Sequence, residues 1–457
     1  MLPSKRPPVE QRTFTSPVIE QVITEARTKI ADPELAWLFE NCFPNTLDTT
    51  VQFTPAATSE ASDDAFIITG DIHAMWLRDS TNQVWPYVPF AARCDKLRTL
   101  LRGLIHRQAR CVLLDAYANA FYRSPDQESP WKSDLTFMRP GVHERKYELD
   151  SLVSVLRLAT GYYAATRDAS IFNELTLRSL ARICDVIACE QQGQLEQPYP
   201  SDNRGYRFQR NTPNTTDSLP LEGLGNPYRR TGMSRCPFRP SDDACIFQFL
   251  IAANAMAVVE LRRMADVLED LHLAADIVTG ARRSAMTISE GIFRHGVVRH
   301  PRHGDIFAYE TDGFGSTLLM DDAGPPNLVG LPYLGFCSTD DEIYKNTRRF
   351  VLSRDNPYYA QGAAGHGVTS PHIGVSWIWP LGIITQAITA TDDAEILACL
   401  RMLKHTHAGT GFMHEAFRSD DARRYTRDWF AWANTFFGEL ILHVLDTRPH
   451  LLQKPLD

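Results

Sequence analysis

The sequence alternates between amphipathic helical segments and long loops, and this alternation limits the folds that the chain can adopt. Apolar residues recur at spacings of three and four residues, which predicts helices that bury one face, over 97–105, 149–166, 171–187, 244–268, 274–292, 374–407 and 425–446. Between the helices lie loops rich in glycine, proline, asparagine and aromatic residues, near 120–147, 191–241, 298–338, 354–372 and 408–424. Structureless segments longer than about 12–15 residues are usually functional in compact proteins.

The order of these segments predicts an all-α fold in which helical hairpins form a closed ring, an α/α toroid. The long loops recur after helical stretches, so we expect them to collect on one face of the ring and to build a pocket there. Short extended pieces at 66–69 and 296–298 predict a few small β-hairpins among the loops. No internal repeat or low-complexity linker divides the chain, and we expect a single domain over 1–457.

Charge and hydropathy argue against several classes of partner. The chain has 47 Lys and Arg against 55 Asp and Glu and no block of basic residues, which speaks against charge-driven binding to nucleic acid or to an anionic membrane. No run approaches about 18 apolar residues, so no membrane span is predicted. The nine scattered cysteines indicate buried thiols rather than a disulfide framework.

The sequence leaves the compartment and the oligomeric state open. The first residues lack the apolar core of a signal peptide. In contrast, Asn214-Thr215-Thr216 matches the acceptor pattern for N-glycosylation. Cytoplasmic, secretory and vacuolar locations are all compatible with these observations.

A first group of candidate site residues lies in 70–80, just after a short extended piece. Trp76, Arg78 and Asp79 suit a sugar, because paired charged groups bind vicinal hydroxyls and an aromatic ring covers the apolar face. A structural ion pair beside a buried Trp explains the same residues, and the pattern alone does not separate the two interpretations.

A second group lies in 138–151, where a highly charged loop runs into a predicted helix. Arg145 and Asp150 are candidate sugar ligands. The alternative is structural, because Glu148, Asp150 and Ser151 also suit the start of a helix, where acids and hydroxyls stabilise the positive end.

A third group, Ser241-Asp242-Asp243, closes the longest loop. In the structural interpretation Ser241 caps the predicted helix from 244 and the two Asp residues lie in its first turn. In the functional interpretation the two carboxylates repel, so that one of them, if partly desolvated, has a raised pKa and donates a proton.

A fourth group follows a glycine-rich bend at 409–411. Glu415 lies between aromatic residues, a setting that suits a carboxylate reaching into a pocket. Trp429 belongs to the segment 427–434, which combines an Arg, an Asp and two Trp residues before the last helix.

Patterns for metal, nucleotide and serine-nucleophile chemistry are lacking in the sequence. His405 and His407, and likewise His300 and His303, have no HExxH helix or cysteine pairs beside them, so no metal site is predicted. Neither a G-x-S-x-G elbow nor a phosphate-binding glycine loop after a strand is present, so no cofactor is predicted either.

Taken together, the loop segments resemble glycoside hydrolase family 125, the exo-acting α-1,6-mannosidases. The resemblance covers nearly the whole chain and is most specific in GDIHAMWLRDS, ERKYELDSL, FRPSDDA, YETDGFG with LLMDDA, SPH, and GFMHEAF. It implies an (α/α)6 barrel and metal-independent hydrolysis with inversion. The implied product is terminal mannose, released from mannose-containing oligosaccharides such as N-glycan or mannan fragments.

The resemblance also implies roles for two carboxylates. The first Asp of SDDA, Asp242, corresponds to the general acid, and the Glu of MHEAF, Glu415, to the general base. The choice between Asp242 and Asp243 stays open at this point. Two departures from the family pattern, His73 in place of a common Pro and the turn 324–326, affect the expected rim of the pocket.

For sugar recognition we expect charged residues from the same motifs, with Trp rings as stacking surfaces. The residues are Arg78, Asp79, Arg145, Asp150, Asp243, His372, Trp76 and Trp429. Three rival functions are a non-catalytic glycan-binding protein on the same toroid, a metal-dependent glycosidase, and a different α/α-toroid glycosidase acting on glucose polymers.

Overall fold

Helices dominate the part of the chain that can be described. The computed structural model describes residues 2–56, 63–192 and 205–456, so 193–204 of the predicted loop 191–241 lie outside it. The helices are α1 (Pro17–Lys29), α2 (Pro33–Cys42), α3 (Asn45–Thr49), α4 (Leu77–Val84), α5 (Asp95–Leu114), α6 (Leu149–Thr166), α7 (Glu174–Glu190), α8 (Pro220–Gly223), α9 (Ile251–Asp270), α10 (Ala275–His295), α11 (Leu331–Leu334), α12 (Glu342–Val351), α13 (Pro380–Ile388), α14 (Asp393–His405) and α15 (Ala431–Thr447).

In the described ranges, short strands form five small antiparallel sheets between the helices, in the orders β1-β2, β3-β4-β5, β6-β9-β10, β7-β8 and β11 to β15. The strands are β1 (Val51–Thr54), β2 (Asp64–Ile67), β3 (Met75–Trp76), β4 (Ala120–Phe121), β5 (Val142–Glu144), β6 (Phe249–Leu250), β7 (Val297–His300), β8 (Gly304–Phe307), β9 (Glu310–Thr311), β10 (Thr317–Leu318), β11 (Tyr359–Gln361), β12 (His366–Ser370), β13 (Gly374–Ile378), β14 (Ala416–Arg418) and β15 (Tyr425–Thr426). The pairs β1-β2 and β7-β8 lie where the sequence predicts extended pieces.

Six helices form an inner ring. Helix α15 packs on α4, α4 on α6, α6 on α9 and α9 on α11, and α13 packs on α15. Gly330, the N-cap of α11, lies against Thr385 of α13 and closes the ring. Outside it, α7 packs on α5 and α10, α10 on α9, and α14 on α13 and α2. This confirms the predicted helical toroid.

The position of a helix in the ring follows from its apolar pattern. In α6, every residue from Leu149 to Thr160 is buried, as expected for a helix enclosed on all sides. The outer helix α10 buries one stripe only, which includes Ile277, Ala281, Ile288 and Ile292. Inner helices such as α6 are therefore buried on all sides, whereas the outer helix α10 is amphipathic.

Three predicted helices begin later than their apolar pattern suggests. The helix predicted from 244 begins at Ile251, because 241–250 form a tight turn and strand β6. The stretch 374–407 divides into strand β13 and helices α13 and α14, with Pro380 in the first turn of α13. The last helix begins at Ala431, because β15 occupies the start of the predicted stretch 425–446.

Two further sequence expectations can be compared with the structure. All nine cysteines are free thiols, five of them buried. Within the described ranges, no helix has the length and apolar character needed to cross a bilayer.

The close approach of α15 to the end of α2 generates a stability prediction. A Cβ added at Gly438 of α15 would lie 2.6 Å from Phe43 Cδ2 and 3.0 Å from Phe43 Cα. We expect Gly438→Ala to lower the free energy of unfolding by about 1–3 kcal/mol, because the backbone of Phe43 cannot move without disturbing the ring. The measurement is denaturant unfolding followed by circular dichroism.

Gly280→Ala in the outer helix α10 is the matched control. No atom lies within 4 Å of the added Cβ at Gly280, so Ala should raise stability by about 0.5–1 kcal/mol through its helix propensity. If both variants were stabilised, the tight contact between α15 and Phe43 would be refuted.

Candidate active site

A cavity lies where the N-terminal ends of inner helices meet the loops. The space between its lining residues is about 420 Å³, part of which is open to solvent. Trp76, Trp379 and Phe430, the N-caps of α4, α13 and α15, all line it. The lining residues are Thr69, Ile72, Trp76, Arg78, Asp79, Pro240, Ser241, Asp242, His372, Trp379, Glu415, Arg427, Phe430 and Trp432.

Arg78, in the first turn of α4, is the centre of a buried charge cluster. Its Nη1 lies 2.6 Å from Glu148 Oε2 and 3.3 Å from Asp150 Oδ2. Its Nε lies 3.3 Å from Asp79 Oδ2, and its Nη2 lies 3.3 Å from Asp242 Oδ1. One guanidinium therefore connects α4, the start of α6 and the loop before β6.

Asp242 adopts an uncommon backbone conformation that directs its carboxyl into the cavity. Its φ is 68°, a left-handed value that few residues other than glycine adopt. The turn is fixed because Asp242 N donates to Arg239 O at 2.9 Å and Arg239 N donates to Asp243 O at 2.7 Å. Ser241 Oγ also donates to the buried Asp322 Oδ2 at 2.8 Å.

The carboxyls around Arg78 differ in their affinity for protons. Burial favours the neutral form of Asp242, but Arg78 and a hydrogen bond with Glu148 outweigh it and hold the pKa of Asp242 below its usual range. Burial raises the pKa of Glu148 well above its usual range although Arg78 opposes this. Burial likewise raises the pKa of Asp79 to about 6.

Glu415 lies on another wall of the cavity, immediately before β14. Thr426 Oγ1 donates to Glu415 Oε2 at 3.1 Å, and Arg427 Nε lies 3.4 Å from Glu415 Oε1. Arg427 also binds Asp71 at 3.1 Å. These contacts hold the carboxyl of Glu415 in one orientation on the cavity wall.

His372 joins the two walls. Its Nδ1 lies 3.3 Å from Asp243 Oδ1, which also accepts a hydrogen bond from Thr216 Oγ1. Burial favours neutral His372, but Asp243, together with the charges of Asp242 and Glu415, raises the pKa of His372 to about 9. The imidazole is therefore cationic at neutral pH.

Some of the sequence-predicted site residues line the cavity, and others lie behind its lining. Trp76, Arg78, Asp79 and His372 line the cavity together with Asp242 and Glu415. Asp150 and Asp243 lie behind this lining, where they contact Arg78 and His372.

Two predicted residues lie away from the lining. Arg145 is held by Asp115 and Thr136, with its guanidinium beside the ring of Tyr117. Trp429 covers Gly70, where an added Cβ would approach the indole ring to 3.1 Å. Gly70 has a φ of 139°, so both its conformation and this contact require glycine.

Sequence reasoning gave no site role to Trp379, Arg427, Phe430, Trp432 or Glu148. Trp379 lines the cavity, but its stretch predicts only an apolar helix. Arg427, Phe430 and Trp432 lie in the segment 427–434, in which only Trp429 was given a binding role, and Glu148 lies within ERKYELDSL. The available signal for Glu148 is its place in a charged motif. The interpretation of that motif as the start of a helix already accounts for Glu148, so it was not predicted as a site residue.

Ser241, Asp242 and Asp243 do not form the N-terminus of a helix, which corrects the structural interpretation of SDDA. Helix α9 begins seven residues beyond Ala244, directly after β6, with Leu250 as its N-cap. Among residues 2–56, 63–192 and 205–456, no three His, Cys, Asp or Glu side chains are grouped so as to hold a metal ion.

The helical toroid and a cavity lined by carboxylates from separate loops define a glycoside hydrolase of the α/α type. The chain belongs to the metal-independent α-mannosidase family GH125, whose family model matches residues 32–442.

Individual relatives agree with this assignment. The meiotically up-regulated gene 157 protein of Schizosaccharomyces pombe is 43% identical over 470 residues, which cover 99% of this chain and 90% of the relative. A Streptococcus pneumoniae metal-independent α-mannosidase, solved in a non-productive complex with α-1,6-mannobiose, is 38% identical with a TM-score of 0.88, covering 95% and 100% of the two chains. A bacterial glucoamylase bound to acarbose shares the fold at 14% identity and a TM-score of 0.52, over 94% of this chain and 59% of the other.

The buried cluster generates a prediction about Arg78. Arg78→Ala leaves its carboxyl partners without their cation, so we expect the free energy of unfolding to fall by about 3–5 kcal/mol at neutral pH. The carboxyls that stay buried in the variant have folded-state pKa values above the unfolded ones. The variant therefore keeps its free energy of unfolding at low pH, where these carboxyls are neutral. It loses that free energy as the pH rises through their folded-state pKa values. Denaturant unfolding between pH 5 and pH 8 measures this slope.

Arg282→Ala is the control, because Arg282 also contacts two carboxylates, Asp266 and Glu269, but on the exposed surface. Its loss should cost less than about 1 kcal/mol at every pH. An equally small, pH-independent effect of Arg78→Ala would contradict the description of a dry charge cluster.

Proposed function

We propose that the protein is an exo-acting glycoside hydrolase that removes terminal, non-reducing α-1,6-linked mannose with inversion of configuration. Asp242 is the general acid and Glu415 the general base. The observation that carries the proposal is that carboxyls from two separate loops line one small cavity in a member of an α-mannosidase family. The relative solved with α-1,6-mannobiose supports the linkage.

The chemistry of inversion explains why two separate loops are needed. The acid protonates the glycosidic oxygen while the base takes a proton from water on the opposite face of the sugar, and this geometry requires about 6.5–9.5 Å between the carboxyls. Asp242 projects from the turn before β6, and Glu415 from the bend before β14. Arg427 and Thr426 hold the carboxyl of Glu415 in place, as the geometry of water activation requires.

Sugar recognition in this proposal combines charges and indole groups. Arg78, Asp79 and His372 offer charged hydrogen-bonding groups to the mannose hydroxyls, and Trp76 offers an apolar face. The buried Nε1 atoms of Trp76 and Trp379 find no hydrogen-bond partner in the described ranges. Buried donors are normally satisfied, so these two indole N–H groups are available to donate hydrogen bonds to sugar oxygens.

The remaining predicted binding residues act from behind the cavity wall in this proposal. Asp150 and Asp243 orient Arg78 and His372. Arg145 and Trp429 shape the loops around the site rather than the mannose-binding wall. The substrate class is a mannose-terminated oligosaccharide, such as an N-glycan or mannan fragment, because the related S. pneumoniae enzyme is described in the processing of N-linked glycans.

Asp242→Asn tests the acid. We expect its kcat on α-1,6-mannobiose to fall about 10²–10⁴-fold, because the leaving sugar needs a proton. An aryl α-mannoside with an activated leaving group should lose far less, since its departure needs little acid assistance. Equal losses on the two substrates would contradict the assignment.

Two matched variants complete the test. Glu415→Gln should lose activity on both substrates, because water activation is needed whatever leaves. Asp243→Asn should also affect both substrates alike, because Asp243 acts through His372. If Asp243→Asn instead showed the leaving-group dependence, Asp243 and not Asp242 would be the acid.

A further inference from the structure

The cluster around Arg78 contains more carboxyls than its one cation can neutralise. Arg78 contacts Asp79, Glu148, Asp150 and Asp242, and the side chains of the first three are at most 6% exposed. Three or four buried anions around one guanidinium carry an uncompensated negative charge, which a dry environment strongly disfavours. At least one of these carboxyls must therefore hold a proton at neutral pH.

The other cations near the cluster are engaged elsewhere. Lys146 binds Asp217 and lies 3.7 Å from Glu144, and its Nζ donates to the backbone oxygen of Asp242. His372 is paired with Asp243. Arg427 is paired with Asp71 and Glu415. The charges of Lys146 and His372 act on Asp242 and that of Arg427 acts on Asp79. In the described ranges, however, Glu148 has a salt bridge with Arg78 alone.

Glu148 and Asp242 are the pair that shares this proton. Glu148 Oε2 lies 2.6 Å from Nη1 of Arg78 and Asp242 Oδ1 lies 3.3 Å from Nη2, so the two carboxyls are neighbours on one guanidinium. Glu148 is fully buried, whereas 26% of the Asp242 side chain is exposed to the cavity. Around Glu148 the titratable and charged groups are Arg78 and Asp79 of α4, Asp150 of its own helix, Asp242, Glu144 through Asn119, and Tyr206.

We propose that Glu148 is a positioning residue that holds the proton used by Asp242, so that the two carboxyls act as one acid with a single proton. The inference rests on the proposed function. In the sugar-free site the proton lies on Glu148, in agreement with the opposite pKa shifts of the two groups. It moves to Asp242 when a glycosidic oxygen enters the cavity and displaces the solvent from that carboxyl.

The proton count balances over one turnover. The proton passes from the Glu148–Asp242 pair to the glycosidic oxygen as the bond from the anomeric carbon to that oxygen breaks. A water oxygen bonds to the anomeric carbon, and the proton that it loses goes to Glu415. Glu415 then releases a proton to solvent, and the carboxyl pair takes one up before the next substrate binds.

The pair therefore sets the alkaline limit of activity. Coupled carboxyls titrate with macroscopic pKa values that belong to the pair. The alkaline limb of the pH profile of kcat/KM reports the loss of the single shared proton. We expect this limb at a higher pH than for a single Asp beside Arg78.

Glu148→Gln tests this inference, since the amide keeps the size and the hydrogen bonding of Glu148 but cannot hold the proton. With Arg78 alone beside it, Asp242 should ionise at lower pH. We expect the alkaline limb for α-1,6-mannobiose to move down by about one pH unit or more. An aryl mannoside with an activated leaving group should keep most of its rate. If Glu148→Gln folds and its alkaline limb lies at the same pH as that of the wild type, the inference is overturned.

Ser151→Ala provides a test of opposite sign. Ser151 Oγ donates to Glu148 Oε2 at 2.6 Å and stabilises its ionised form. Loss of this donor should make the pair hold its proton more tightly, so the alkaline limb should move up by about half a pH unit. A downward shift, or none, would contradict the inference, because a purely structural role of Glu148 gives no sign reversal.

Glu144→Gln is the matched control. Asn119 Nδ2 donates to both Glu144 and Glu148 at 3.0 Å, but Glu144 is not among the carboxyls that contact Arg78. The alkaline limb of this variant should stay within about 0.3 pH units of the wild-type limb. A shift as large as that of Glu148→Gln would refute the special role of Glu148.

If Asp242→Asn lacks the leaving-group dependence, the proposed function fails. If Asp242→Asn shows it but Glu148→Gln leaves the limb in place, only this inference fails.

Discussion

The guanidinium of Arg78 is the interaction on which the site depends. It contacts four carboxyls from three separate parts of the chain, and it does so from the first turn of an inner helix. Burial makes each of these ion contacts strong and makes any unpaired charge costly. The same contacts therefore fix the start of α6, the turn that carries Asp242 and the protonation of the cluster.

The toroid explains why such a cluster can exist. Inner helices that are buried all round, such as α6, form a rigid ring, and three of their N-caps line the cavity. The positive ends of these helices favour the carboxylates that gather there. Loops from opposite sides of the ring then supply Asp242 and Glu415, whereas neighbouring residues on a single helix could not face each other across a sugar.

The spacing of apolar residues predicted the helices, but it did not predict the turns. The pattern over 149–166 gave the exact bounds of α6, because all of its faces are buried. At SDDA the same reasoning placed a helix too early, because residues 239–243 form a tight turn with Asp242 in a left-handed conformation, and Asp322, distant in sequence, accepts a hydrogen bond from Ser241 in that turn. Glu148 was missed for a related reason, since only the folded chain brings it against Asp242. The placement of Arg145 and Trp429 away from the cavity lining likewise depends on tertiary contacts that no local motif encodes.

The claim that Asp242 and Glu415 act as acid and base on opposite faces of the sugar can be tested by the product that forms first. Proton NMR of α-1,6-mannobiose during hydrolysis, with and without EDTA, distinguishes the anomers of released mannose before they equilibrate. β-Mannose should appear first and at the same rate in both samples, because inversion of an α-linkage gives the β-anomer. Initial formation of α-mannose, or no hydrolysis of this substrate, would contradict the claim.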